Sequence, residues 1–85
     1  MNGIVSAPRI SDVIQLVISV LPNTDPLAIS ESTDLYELGL DSSAAVELML
    51  SIEGHFNMTF SDNLIDESTF RTPRALLNAV RQVVG

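Results

Sequence analysis

Residue types and spacing assemble a reactive group at one place in this chain, Gly39-Leu40-Asp41-Ser42-Ser43. Asp41 is a good helix N-cap, because its carboxylate accepts hydrogen bonds from first-turn amides that have no partner within the helix. That puts Ser42 at about the first helical position with its hydroxyl facing water. The positive end of the helix dipole there favours a negatively charged adduct such as a phosphodiester. Ser42 is therefore a better candidate for covalent modification than for burial. For the tripeptide alone, a plain Asp-Ser helix cap is the favoured account.

Other chemistries fit the residues poorly. A catalytic serine needs a base within hydrogen-bond reach, and the single histidine, His55, lies thirteen residues further on. On one helix that is roughly 20 Å of rise. One histidine and no cysteine give no zinc set, and Asp62, Asp66 and Glu67 lack the alternating oxygen pattern of a calcium loop. The four glycines are dispersed, so no phosphate-cradling loop forms. The expectation is no catalytic residue and no metal site.

The order Gly39-Leu40-Asp41-Ser42, followed by Val46-Glu47-Leu48, resembles the attachment motif of acyl and peptidyl carrier proteins. The likeness runs from about Thr33 to Val80: Asp34-Leu35-Tyr36-Glu37-Leu38-Gly39 looks like the family's lead-in, and Ile52-Glu53-Gly54-His55-Phe56 like its helix ending. The resemblance implies a discrete, non-catalytic carrier. Its cofactor would be 4′-phosphopantetheine, donated by coenzyme A to Ser42, whose thiol holds acyl, aminoacyl or peptidyl cargo as a thioester. It also implies as partners a phosphopantetheinyl transferase, an acyl- or aminoacyl-loading ligase, and downstream enzymes of fatty-acid, polyketide or nonribosomal-peptide type biosynthesis. Two positions depart from the pattern: Ser43 stands where the family usually has an apolar residue, and Ser61 where it usually has proline. Ser61-Asp62-Asn63-Leu64 with Phe70 looks like bacterial carriers that accept amino acids from synthetase-like ligases. The rival from another class is a small acidic helical interaction module without a covalent cofactor.

Eighty-five residues make one small domain, which buries only roughly 60–65 % of the surface it exposes when unfolded. A deep active site has no room. Eleven acidic side chains against four arginines and no lysine give a net charge of −7. Such a surface repels phosphate backbones and anionic lipid, and suits partners with basic patches. No apolar run is long enough to span a membrane, and Met1 to Arg9 lacks the pattern of a secretory signal, so the expected location is the cytoplasm and the expected state a monomer.

The elements that must position Ser42 are helical. Val13, Ile14, Val17, Val20 and Leu21 repeat at three and four, which predicts a helix from Ile10 that Pro22 ends, with a strand as second reading because Val and Ile are frequent. Pro22 to Thr33 predicts a long loop pinned by Leu27 and Ile29, and Asp34 to Leu38 one helical turn with Gly39 as its left-handed exit. Ser42 to about Phe56 predicts the second helix, with Ala45, Leu48, Met49, Ile52 and Phe56 facing the core. A short helical piece from Ser61 or Asp62 follows. The last helix starts at Pro73 behind a Thr72 cap and carries Leu76, Leu77, Val80, Val83 and Val84. The expected fold is an all-α, acyl-carrier-like four-helix bundle of three longer helices and one short one. Residues 1–8 are expected to form a flexible start and 9–85 the domain. The expected docking face around Ser42 comprises Leu40, Asp41, Ser43, Val46, Glu47, Leu50 and Glu53.

Overall fold

A computed structural model describes residues 7–84. Three α-helices, α1 (Ile10–Val20), α2 (Ser42–Phe56) and α3 (Pro73–Val84), are joined by connections that each hold a single 3₁₀ turn, at Pro26–Ala28 and Asp62–Leu64. Among the described residues there is no strand. The short fourth helix is thus reduced to one turn, and most of the expected flexible start, residues 1–8, lies outside the described residues.

Helical spacing outweighs the β-branched composition of α1, because it puts Val13 and Val17 on one line, and both are fully buried. The helix ends where Leu21 donates its N–H to the Val17 carbonyl at 3.0 Å and Pro22 removes the next donor. α2 runs through Gly54 and stops at Asn57, whose left-handed φ of 53° is a conformation asparagine tolerates. α3 begins as its sequence implies: the Thr72 hydroxyl accepts the Ala75 N–H at 3.1 Å, and Pro73 sits at the first position.

α1 packs against both α2 and α3. Leu48 and Ile52 from α2, and Leu76, Leu77, Ala79 and Val80 from α3, close the core around Val13 and Val17. Ile29, Leu35 and Leu40 from the first connection join it, and Phe60 and Phe70 from the second pack with tilted rings, 5.8 Å between centres. The first connection is also strapped to the end of the second connection and to the first turn of α3. Leu35 N–H bonds the Arg71 carbonyl at 2.7 Å, and Arg74 N–H bonds the Glu31 carbonyl at 2.9 Å. Outside these bonds, Arg74 holds Glu31 at 2.8 Å, while Arg71 holds Asp34 at 3.0 Å and Glu67 at 2.7 Å.

Two apolar assignments are corrected. Leu27 does not pin the loop; it is 94 % exposed, while Ile29 is buried. Asp25 caps the Pro26–Ala28 turn by accepting Leu27 N–H at 2.9 Å, and in so tight a turn a residue two positions before Ile29 points away from it. Val83 and Val84 continue the stripe of α3 but remain exposed, because they border an open groove with Pro8, Phe56 and Met58 instead of packed core.

Leu48→Ala should therefore cost about 2–5 kcal/mol, and Leu27→Ala less than about 0.5 kcal/mol. Urea unfolding of both variants checks the contrast, and equal losses would contradict the packing described.

Candidate functional site

The site is built by the turn that delivers the chain to α2. Asp34 Oδ1 accepts the Tyr36 N–H at 2.9 Å and starts the turn; Gly39 leaves it at φ 104°, a conformation that residues with a Cβ rarely adopt. Leu40 then folds inward, its N–H on the Leu35 carbonyl at 3.0 Å and its side chain 4 % exposed. With Leu40 fixed in the core, Asp41 is extended and caps α2, its Oδ1 accepting the Ala44 N–H at 2.8 Å. Ser42 follows as the first residue of α2 and is exposed.

This arrangement fits an anionic adduct on Ser42. Among the described residues the amides of Ser42 and Ser43 have no hydrogen-bond partner, and no acidic residue stands in the first turn of α2 beyond the cap itself. The positive helix end is thus left for a phosphate diester. His55 lies at the far end of the same helix, in its last turn, so Ser42 has no histidine base.

Ser43, Val46, Glu47 and Leu50 are all exposed along one side of α2, with Val46 at 52 % and Leu50 at 57 %. These four and Asp41 are brought together as expected. Leu40 and Glu53 are not. Leu40 faces the core instead of a partner, because the Gly39 turn reverses it. Glu53 has an internal role: its Oε2 accepts the Phe60 N–H at 2.9 Å and ties the second connection to α2.

An open groove of about 660 Å³ lies beside Ser42. Ser42, Ala45, Val46 and Met49 of α2 form one side, Tyr36, Leu40 and Asp41 the end, and Ile65, Asp66, Glu67 and Phe70 the other side. The second connection is held in place by Tyr36, which donates its hydroxyl to the Glu67 carbonyl at 3.0 Å and lies under the Arg71 guanidinium, 5.1 Å from its ring centre. Burial, reinforced by the Glu67 charge, raises the Tyr36 phenol above its ordinary value, so it remains a donor. Asp66 shifts the other way: the Ser68 hydroxyl at 2.7 Å and the Thr69 N–H at 2.9 Å stabilise its carboxylate and lower its pKa. The sequence pattern gave Tyr36, Asp66 and Arg71 no place beside Ser42. The available cue was scarcity: with four cations in a chain of net charge −7, each arginine has carboxylates to choose among.

Three packed helices with an exposed serine at a capped helix start have the form that a helical cofactor carrier requires. The family described as "Phosphopantetheine attachment site" matches residues 11–80, and the chain belongs to it. Its prosthetic group is therefore 4′-phosphopantetheine and its role that of a non-catalytic carrier. It is 39 % identical over 56 residues to an aminoacyl carrier protein of Agrobacterium fabrum, covering 66 % of this chain and 68 % of that one. It is 33 % identical over 73 residues to a D-alanyl carrier protein of Bacillus licheniformis, covering 81 % and 94 %. A non-reducing polyketide synthase of Monascus ruber matches at 31 % over 81 residues, which is 94 % of this chain but 3 % of the synthase. A solved complex of an engineered Bradyrhizobium japonicum glycine:[carrier protein] ligase with an Agrobacterium tumefaciens carrier protein and AMP contains a similar chain. The TM-score is 0.79 at 31 % identity, covering 86 % of this chain and 99 % of that one.

The lowered Asp66 pKa carries a sign. A depressed carboxylate stabilises the folded state fully above its unfolded pKa of about 3.9, and the contribution is lost as pH falls through the lower folded value. An NMR titration of the Asp66 side chain should give a midpoint below about 3.9. A midpoint at or above that value would mean that the Ser68 and Thr69 bonds are not formed in solution.

Proposed function

We propose that Ser42 carries the 4′-phosphopantetheine arm and that the cargo is an amino acid loaded by an adenylate-forming ligase. The attachment rests on one observation above the others: Ser42 is exposed at the first position of α2, behind a capping Asp41, and its own amide and that of Ser43 have no hydrogen-bond partner among the described residues. Ser42 Oγ gives up its proton and forms the phosphoester bond while the nucleotide half of coenzyme A leaves. Once bound, the arm supplies the thiol that holds cargo as a thioester. Capping stays with Asp41, and the reactive sulfur is not the chain's own, since it has no cysteine.

The amino-acid cargo is supported by the names of two relatives, an aminoacyl and a D-alanyl carrier, and by the glycine ligase bound to the structural neighbour. Docking of the transferase, the ligase and later enzymes falls to Asp41, Ser43, Val46, Glu47 and Leu50. Val46 and Leu50 give an apolar centre and the carboxylates guide basic surfaces to it, faster at low salt than at high. Ser43 makes that centre smaller than an apolar residue would. Among the described residues no helix is long and apolar enough to cross a membrane. We place the chain, as a monomer, in the cytoplasm with its coenzyme A donor.

Incubated with coenzyme A and a broad phosphopantetheinyl transferase, the wild type and Ser43→Ala should each gain one adduct by intact mass, and Ser42→Ala none. Adduct formation on Ser42→Ala would overturn the assignment. Glu47→Lys should slow the modification severalfold at low salt with the fold intact by circular dichroism. An unchanged rate would remove Glu47 from the docking face.

A further inference from the structure

The groove beside Ser42 combines an apolar floor with a negative rim. Leu40 and Phe70 are its buried lining, and Val46 and Ile65, 52 % and 46 % exposed, line it from α2 and from the second connection. Three carboxylates line it, from Asp41, Asp66 and Glu67, and none of the four arginines does. Glu67 is paired with Arg71 at 2.7 Å. Asp41 and Asp66 are in no ion pair among the described residues. In each, Oδ1 accepts from neighbouring donors, and no cation neutralises the carboxylate among the described residues.

We propose that this groove receives the end of the Ser42-borne arm when it carries a small α-aminoacyl group, the cargo's carbon atoms resting against Val46 and Ile65 and the ammonium facing Asp41 and Asp66. The inference rests on Ser42 being the attachment point. Charge complementarity selects the occupant. A long acyl tail would strip water from two unpaired carboxylates and offer them nothing, and a cargo ending in a carboxylate would be repelled. An ammonium beside methyl groups satisfies both the rim and the floor. About 660 Å³ is ample for an aminoacyl group and part of the arm.

Tethering makes a weak site sufficient. A group linked to the lip of the groove is present at an effective concentration on the order of millimolar, so a contact of millimolar affinity is about half formed. The consequence is chemical as well as positional. An α-amino group titrates near pH 8, and neighbouring carboxylates favour its charged form. As an ammonium it has no lone pair with which to attack a thioester, so the groove protects loaded cargo from self-condensation until a partner lifts it out.

The test uses the holo protein carrying glycyl, acetyl or octanoyl arms, each transferred from an amide-linked coenzyme A analogue. Intact mass comes first: no adduct, or one that persists in Ser42→Ala, overturns the attachment reading and this inference with it. With the adduct on Ser42, the glycyl arm should shift the amide resonances of Val46 and Ile65 to Phe70 at least about twofold more than the acetyl arm. Its amino group should titrate roughly half a unit above that of free glycyl-pantetheine, a difference that shrinks in high salt. Asp66→Asn keeps an Oδ1 acceptor for Ser68 and Thr69 and removes only the charge, and should lose about half of both effects. Asp12→Asn, in the first turn of α1 and outside this groove, changes net charge equally and should lose neither. Glycyl and acetyl arms with indistinguishable shifts, or an octanoyl arm with the largest shift, would overturn the inference while leaving Ser42 as the attachment point.

Discussion

The placement of Ser42 depends on the burial of Leu35 and Leu40. These residues bracket the turn that ends the long first connection, and both reach the core, at 0 % and 4 % exposure. Burying two leucines contributes about 3–6 kcal/mol, more than the exposed ion pairs around the loop, which contribute about 0–1 kcal/mol each. The Leu35 N–H on the Arg71 carbonyl and the Leu40 N–H on the Leu35 carbonyl turn that burial into a fixed register. α2 consequently starts at one residue and not a neighbouring one. A shift of one position would exchange Ser42 for Ser43 at the capped end and rotate Val46 and Leu50 by about 100° around the helix.

Charge is distributed to the same end. Arg71 pairs with Asp34 and Glu67 and ties the two connections together, while Arg74 in α3 pairs with Glu31 and ties the first connection to that helix. Asp41, Glu47 and Asp66 lie near the serine without ionic partners among the described residues. The result is a Ser42 end that is negative around apolar residues, the charge pattern that the proposed basic partner surfaces and cationic cargo require. Single arginine pairs on this surface matter for geometry more than for stability, because solvent screens them.

Much of the fold was legible because it follows from local rules. Spacing at three and four gave all three helices, Thr72-Pro73 gave the start of α3, and Gly39 gave the left-handed exit. Asp41-Ser42 was legible for the same reason, since capping is a local interaction. The failures were non-local. Whether Leu27 or Ile29 reaches the core depends on where a 3₁₀ turn points, and whether Val83 and Val84 are covered depends on how far the other helices extend. Glu53 reads as a surface carboxylate until Phe60, seven residues on, brings its N–H within 2.9 Å. Leu40 reads as part of an exposed motif until the turn before it is seen to close. The groove needed three separated segments to meet, and nothing in the spacing of Tyr36, Met49 and Ile65 announces that they do.

The central claim is that the turn and its buried leucines present Ser42, and not Ser43, for attachment. Localising the phosphodiester in the wild-type holo protein tests it most directly. Cleavage before Asp41 and before Asp62 yields a peptide from Asp41 to Ser61, and electron-transfer fragmentation between its second and third residues separates the two serines. The account predicts the full adduct mass on the fragment ending at Ser42. An adduct found only on fragments that include Ser43 would show that the helix starts one residue later in solution, and would contradict the account.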